Sequence, residues 1–171
     1  MLAIRPRSRL GIIAATMALL LAMASAAQAG DQHGNVYKKR NLVSDIPGVA
    51  RITDPNLVNP WGLSAGPATP IWVADNGKDV STLYSGGIHH SIPMILPLVV
   101  GIPDGAPTGT VFNPTSGFAL NGAPAKFLFD SEAGTITAWN AGTTANTVVP
   151  NTTGAIYKGL EIGRASCRER V

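Results

Sequence analysis

The sequence predicts an all-β protein. Three observations carry that expectation. Its 19 glycines and 13 prolines punctuate the chain, 17 and 12 of them within residues 30–160. No stretch sustains apolar residues at the i, i+3, i+4, i+7 spacing of an amphipathic helix. Short runs of β-branched and aromatic residues recur instead, each bounded by turn residues.

Met1 to Ala29 reads as an export signal. Arg5, Arg7 and Arg9 make a positive n-region, Leu10 to Met23 an apolar h-region, and Ala27-Gln28-Ala29 the small-residue cleavage pattern. Cleavage is expected between Ala29 and Gly30. The apolar run is too short for a comfortable membrane span, so no span is expected in the mature part. The arginines are not adjacent, as a twin-arginine signal requires, and no cysteine follows to carry a lipid. The expected route is the general secretory one, to the periplasm, the cell surface or the exterior.

Next comes Val36 to Ser44 (VYKKRNLVS), read as a single strand. The first hairpin follows. Ile71-Trp72-Val73-Ala74 and Val80-Ser81-Thr82-Leu83-Tyr84 are its strands, and Asp75-Asn76-Gly77-Lys78-Asp79 supplies the turn. Gly101 to Gly109, with Pro103 and Pro107, reads as an ordered connection. In the second hairpin, Ala125 to Phe129 and Thr135 to Trp139 flank Asp130-Ser131-Glu132-Ala133-Gly134.

The two hairpins can be laid over each other. Asn59-Pro60 falls opposite Asn113-Pro114, Gly62-Leu63-Ser64 opposite Gly117-Phe118-Ala119, Trp72 to Asp75 opposite Phe127 to Asp130, and Leu83-Tyr84 opposite Ala138-Trp139. The period is about fifty-five residues, and Tyr157-Lys158-Gly159-Leu160 begins a third copy. The repeats therefore run over about 59–112 and 113–156, with a third from 157, inside a domain of 30–160. A long repeat of short antiparallel strands is what a β-propeller blade requires, since one small sheet cannot cover both its faces alone. The expected fold is a partial propeller: four-stranded antiparallel meanders, two blades and the start of a third. The glycine-rich first strands would lie nearest the axis. Trp72, Leu83, Phe127, Phe129 and Trp139 would fill the space between blades.

The last eleven residues, Glu161 to Val171 (EIGRASCRERV), resemble the conceptual translation of a sequencing adapter, so 161–171 is expected to be non-native. That changes the composition. Between Gly30 and Leu160 there are seven Lys or Arg against eight Asp or Glu, although the whole chain carries +3. A near-neutral body without a basic stripe gives no electrostatic case for nucleic acid. The single cysteine, Cys167, lies in the tail. The body thus offers no disulfide framework, cysteine-ligated metal or thiol nucleophile.

PWGLSAGPATPIWVADNGKDVSTLYSGG (Pro60 to Gly87) resembles an NHL-type propeller repeat. NLVSDIPGVA (Asn41 to Ala50), DPNLVNPWGLS (Asp54 to Ser64) and VVGIPDGAPTGTVFNPTSGF (Val99 to Phe118) together resemble an uncharacterised family of exported bacterial proteins. That resemblance implies a six-bladed propeller, with a C-terminal surface-sorting segment in some members, and no established activity.

Candidate chemistry is sparse. Asp75 and Asp130 occupy the same place in successive repeats, which favours a structural role, capping the turn that follows. Glu132 has no acidic counterpart, because Gly77 takes its place. His89-His90 is the adjacent imidazole pair of the body; histidine is a common metal ligand, though neighbours on a strand point to opposite faces. His89, His90 and Glu132 are the metal candidates. No serine sits in a nucleophile elbow, no catalytic residue is assigned, and no cofactor is evident. The expected function is a non-catalytic binding module that presents loops or a central funnel to a protein or carbohydrate. The alternative is a propeller hydrolase or lactonase with a divalent metal in the funnel.

Overall fold

The computed structural model describes residues 39–86, 92–151 and 153–163. The chain divides into Met1–Lys39 and Arg40–Val171, and the strands among the described residues lie in the second unit. Among the described residues there is no α-helix, and the sheets are antiparallel apart from one short pair at the start. The all-β expectation holds.

That pair is β1 (Val43–Ser44) with β2 (Ile52–Thr53), joined in parallel. The first sheet is built from β3 (Pro60–Ser64), β4 (Ile71–Asp75), β5 (Val80–Ser85), β6 (Met94–Ile95) and β7 (Val100–Gly101). Its order is β3-β4-β5-β6, with β7 also pairing β5. The second sheet opens with β8 (Pro107–Phe112). A small hairpin follows, β9 (Ala119–Leu120) and β10 (Ala123–Pro124), whose tip places Asn121 and Gly122 at φ 53° and 83°. Two consecutive left-handed residues make the tight two-residue hairpin turn that Asn-Gly favours. Then come β11 (Phe127–Ser131), β12 (Ile136–Trp139) and β13 (Asn146–Val149), in the order β13-β12-β11-β8. Gly101 bridges Thr144 in parallel and exchanges backbone hydrogen bonds with Thr143 and Ala145, which ties β7 to the approach to β13.

The strands predicted for the two hairpins are present, but of Val36 to Ser44 only Val43–Ser44 is strand among the described residues, Tyr157 to Leu160 joins no sheet, and the first strand of the second sheet is not where the repeat put it. Gly117-Phe118-Ala119 was matched to Gly62-Leu63-Ser64, yet β8 is the strand that pairs with β11. Only Ala119 of that run enters a strand, in the small β9–β10 hairpin. The region 101–109 is likewise more than a connection, since β7 and the start of β8 fall within it. Val111 and Thr110 are β-branched and alternate faces, which suits a paired strand; the Asn-Pro at Asn113-Pro114 drew the alignment past them.

Trp72 and Leu83 of the first sheet and Phe127, Phe129 and Trp139 of the second form one buried cluster with Val100, Ile102 and Ala145. The rings of Trp72 and Phe127 stack at 4.3 Å between centroids, and Trp139 lies 4.6 Å from Trp72. The other face of the second sheet, with Leu128 and Ala138, packs against Val111, Leu160 and Ile162.

Stacking of Trp72 on Phe127 has a consequence for the repeat. In sheets related by rotation about an axis, equivalent residues point the same way round, so they cannot face each other. Trp72 pairs with Leu83 across its hairpin, whereas Ala138 pairs with Leu128 and Phe127 with Trp139. By packing, therefore, Trp72 corresponds to Leu128, and Asp75 to Ser131. The turn Asn76–Asp79 between paired Asp75 and Val80 is one residue longer than Glu132–Gly134 between hydrogen-bonded Ser131 and Thr135. A one-residue difference moves every side chain of a strand to its opposite face.

The first strands do keep step. A Cβ added to Gly62 would lie 2.6 Å from the carbonyl of Thr108 and 2.7 Å from the nitrogen of Thr110. One added to Gly109 would meet the nitrogen of Leu160, and Asp130 Oδ1 at 2.5 Å. Trp61-Gly62, Thr108-Gly109 and Lys158-Gly159 thus stand side by side, Gly62 and Gly109 each letting the next backbone approach. Gly62→Ala and Gly109→Ala should each lower stability by about 1–3 kcal/mol, because rigid backbone must move. Gly159, with nothing within 4 Å, should accept alanine with little change. Urea unfolding of the three variants checks this; a Gly159→Ala loss as large as the others would contradict the packing.

Candidate functional site

Strands β3 and β8 and the segment from Lys158 to Leu160 border an open cleft of about 580 Å³, which Trp61 and Gly62, Thr108 and Gly109, and Lys158 and Gly159 line. This volume lies within the range of small-molecule sites, roughly 300–1,000 Å³. Its floor is largely glycine and threonine backbone, for the packing reason given above. Trp61 is 43% exposed, and the ammonium of Lys158 sits over its ring, 5.2 Å from the centroid. Leu63 follows at 69% exposure, beside the cleft and beside a second, apolar groove that Leu42, Leu57, Ile71 and Val73 line.

A polar chain crosses one rim. Asn59 Nδ2 donates to Asn76 Oδ1 at 3.0 Å, and Asn76 Nδ2 donates to Glu132 Oε2 at 3.0 Å. Lys158 Nζ pairs with Glu132 Oε1. The hydrogen bond from Lys158, helped by that from Asn76, holds the Glu132 carboxyl below its ordinary range. Lys158, the one cation among the described residues lining the cleft, is therefore balanced by a carboxylate that stays ionised.

Asp130, fully buried at the end of β11, is consumed by backbone. Its Oδ1 accepts from the Thr108 hydroxyl at 2.9 Å and from the Gly109 N–H, and its Oδ2 accepts from the Gly159 N–H at 3.0 Å. It joins the second and third first-strand segments. Asp75 does something else. Its Oδ2 accepts from the Thr82 N–H at 3.0 Å and the Thr82 hydroxyl at 2.7 Å, while its buried Oδ1 has no protein partner. Burial, reinforced by the charge of Asp54, pushes its carboxyl up to about 7 against the lowering effect of Thr82. Asp54 is also buried, and its Oδ2 accepts from the Tyr84 hydroxyl at 2.7 Å, fastening the segment after β2 onto β5.

The expectation that Asp75 and Asp130 cap their own turns is thus corrected. Asp75 clamps the hairpin across β4 and β5 without capping Asn76–Lys78. Asp130 turns to the first strands, and the turn after it is held by the paired hydroxyls of Ser131 and Thr135 at 2.8 Å. Sequence places the two acids alike, but the one-residue shift between hairpins sends them to opposite faces.

Of the metal candidates, Glu132 borders the cleft but is engaged by Lys158 and Asn76. His89 and His90 lie outside the described residues. Among the described residues no three His, Cys, Asp or Glu come together as a ligand set, so the acids found here do not assemble a metal site. Among the same residues no helix is long and apolar enough to cross a membrane. The expected cleavage point, Ala29 and Gly30, also lies outside them. Trp61, Thr108 and Lys158 were not singled out from sequence. The recurrence Trp61-Gly62-Leu63, Thr108-Gly109-Thr110, Lys158-Gly159-Leu160 could have found them, had the repeat been aligned on glycine rather than on Asn-Pro.

No protein-family model matches this sequence. An uncharacterised protein of Acanthamoeba polyphaga mimivirus is 33% identical over 108 residues, covering 61% of this chain. The chain spans 27% of that relative's length. No solved structure matches.

Proposed function

We propose that this chain is part of an exported β-propeller that binds a ligand without transforming it, and that the cleft along its first strands is the binding surface. One observation carries the reading. The acids beside the cleft are already bound, Asp130 to backbone and Glu132 to Lys158, while the cleft itself offers an exposed indole, bare backbone and a lysine. Acids held by backbone N–H groups are poorly placed to serve as general acid or base, whereas an amphipathic aromatic in a concave site is a frequent anchor in recognition.

The propeller part of the proposal draws on the order of the first strands. Gly62 faces Gly109, and Gly109 faces Gly159, the progression expected of blades that follow one another round an axis. Flipped packing of the second hairpin is accommodated as a local register change. Export draws on the leader motif of Met1 to Ala29, and places the ligand in the periplasm, on the surface or outside the cell.

Tryptophan emission separates binding from catalysis. Trp72 and Trp139 are buried, so a ligand in the cleft acts on Trp61. The chain is titrated with soluble envelope polysaccharides, and separately incubated with lactone and ester substrates in the presence and absence of Ca²⁺ or Zn²⁺. A saturable emission change without turnover is expected. Metal-dependent turnover that survives Trp61→Ala would replace this reading with the hydrolase alternative.

A further inference from the structure

We propose that the cleft takes a neutral saccharide, with one sugar ring stacked on the indole of Trp61, and that Glu132 sets the preference for a neutral ligand by cancelling the charge of Lys158. This rests on the binding reading above and names the ligand class of the same site.

The cleft's own chemistry narrows the choice. It presents one aromatic ring, partly exposed and large enough to cover the C–H face of a pyranose. Over that ring, 5.2 Å from its centroid, lies an ammonium with three donors, of which Glu132 occupies one. The remaining lining combines Thr108, Thr110 and the backbone at Gly109 and Gly159, whose N–H groups are given to Asp130, with the apolar side chains of Pro60, Leu63 and Leu160. A flat apolar face next to convergent donors suits a ligand with C–H groups on one side and hydroxyls round its edge.

Charge decides between classes of saccharide. Among the described residues Lys158 is the one ionic residue lining the cleft, and its partner Glu132 stands at the rim. Together with Asp130, bound beneath at Gly109 and Gly159, they leave the described residues of the site with no excess positive charge. An acidic sugar would gain one attraction to Lys158 and meet one repulsion from Glu132 at similar range. Asn76, which donates to the other oxygen of Glu132, keeps that carboxylate turned to Lys158. A polyanion, nucleic acid included, finds no unbalanced cation among the described residues that line the cleft.

The test uses the full chain and tryptophan emission with two sets of probes. Neutral probes are β-1,3- and β-1,4-glucan, mannan and chitin oligosaccharides; acidic probes are oligogalacturonate and alginate fragments. At least one neutral probe should bind saturably, with an affinity that changes little between low and physiological salt. Trp61→Ala should weaken it at least about tenfold, as truncation of an aromatic anchor does. Because Trp61 is also the reporter, this variant is read by calorimetry. Glu132→Gln should keep neutral binding within about twofold and tighten acidic probes several-fold, in a salt-sensitive way. Loss of packing alone would not produce that change of selectivity. Arg51→Ala, remote from the cleft, serves as the charge control.

Preference of the unaltered chain for acidic probes would overturn the charge argument. Absence of binding to every saccharide would overturn the ligand class, while the binding reading would survive if a polypeptide or lipid probe still needed Trp61. Neutral saccharide binding that Trp61→Ala leaves unchanged would remove the cleft itself from both proposals.

Discussion

Truncating Phe127 to alanine should lower stability by about 3–5 kcal/mol, the range for deleting a large buried aromatic. Phe127 is among the largest fully buried side chains, and its ring touches Trp72 by stacking and Phe112 edge-on. The surrounding strands come from two sheets, so collapse into the void would require both to move. A double-mutant cycle with Trp72→Ala sharpens the result. The pair should couple by roughly 0.5–1.5 kcal/mol, as stacked aromatic pairs do beyond their burial. Had the hairpins followed one another in phase, Trp72 and Phe127 would point the same way and the coupling would be near zero. Chemical denaturation of the two single variants and the double variant measures it, with additivity as the outcome that rejects face-to-face packing.

The second large effect is a dependence of stability on pH that Asp75 should dominate. Its carboxyl is 0% exposed, has one oxygen without a protein partner, and is raised from 3.8 to about 7 by burial. Between those values the folded chain holds a proton that the unfolded chain has released. The folded state therefore binds more protons, and stability falls as pH rises through that window, by up to about 1.4 kcal/mol per pH unit. Across the window the loss comes to roughly 4 kcal/mol, levelling off above pH about 7. Asp54, the acid facing it from the segment after β2, acts in the same direction. Asp75→Asn keeps the acceptor for Thr82 and cannot ionise. Urea midpoints from pH 4 to pH 8 should slope downward for the unaltered chain and be nearly flat for the variant. A slope that persists in Asp75→Asn would place the titrating group elsewhere.

These two predictions rest on features with opposite legibility. Trp72, Leu83, Phe127, Phe129 and Trp139 were readable as core, because large apolar residues on strands bounded by turns must be covered by something. Which of them touch was not readable. Asp75 and Asp130 stand in identical local contexts, so sequence assigned them one role. Their environments differ because the two hairpin turns differ by one residue, and a strand out of phase by one exposes its other face. Trp61 and Lys158 were invisible as partners for a different reason. They lie nearly a hundred residues apart, one on β3 and one on the segment after β13, brought together by the close approach of backbone to Gly62 and Gly109.

By itself, then, the sequence determined that this chain is built of short antiparallel strands, where most of those strands lie, and which side chains are buried. Those are consequences of local alternation, turn chemistry and the expulsion of apolar groups from water. Tertiary structure alone decided the first strand of the second sheet, the contact of Trp72 with Phe127, the divergent fates of two matching acids, and the cleft between three glycine-bearing segments. Each of these depends on register between distant strands, and register is set by the summed packing of both faces rather than by any short stretch of residues.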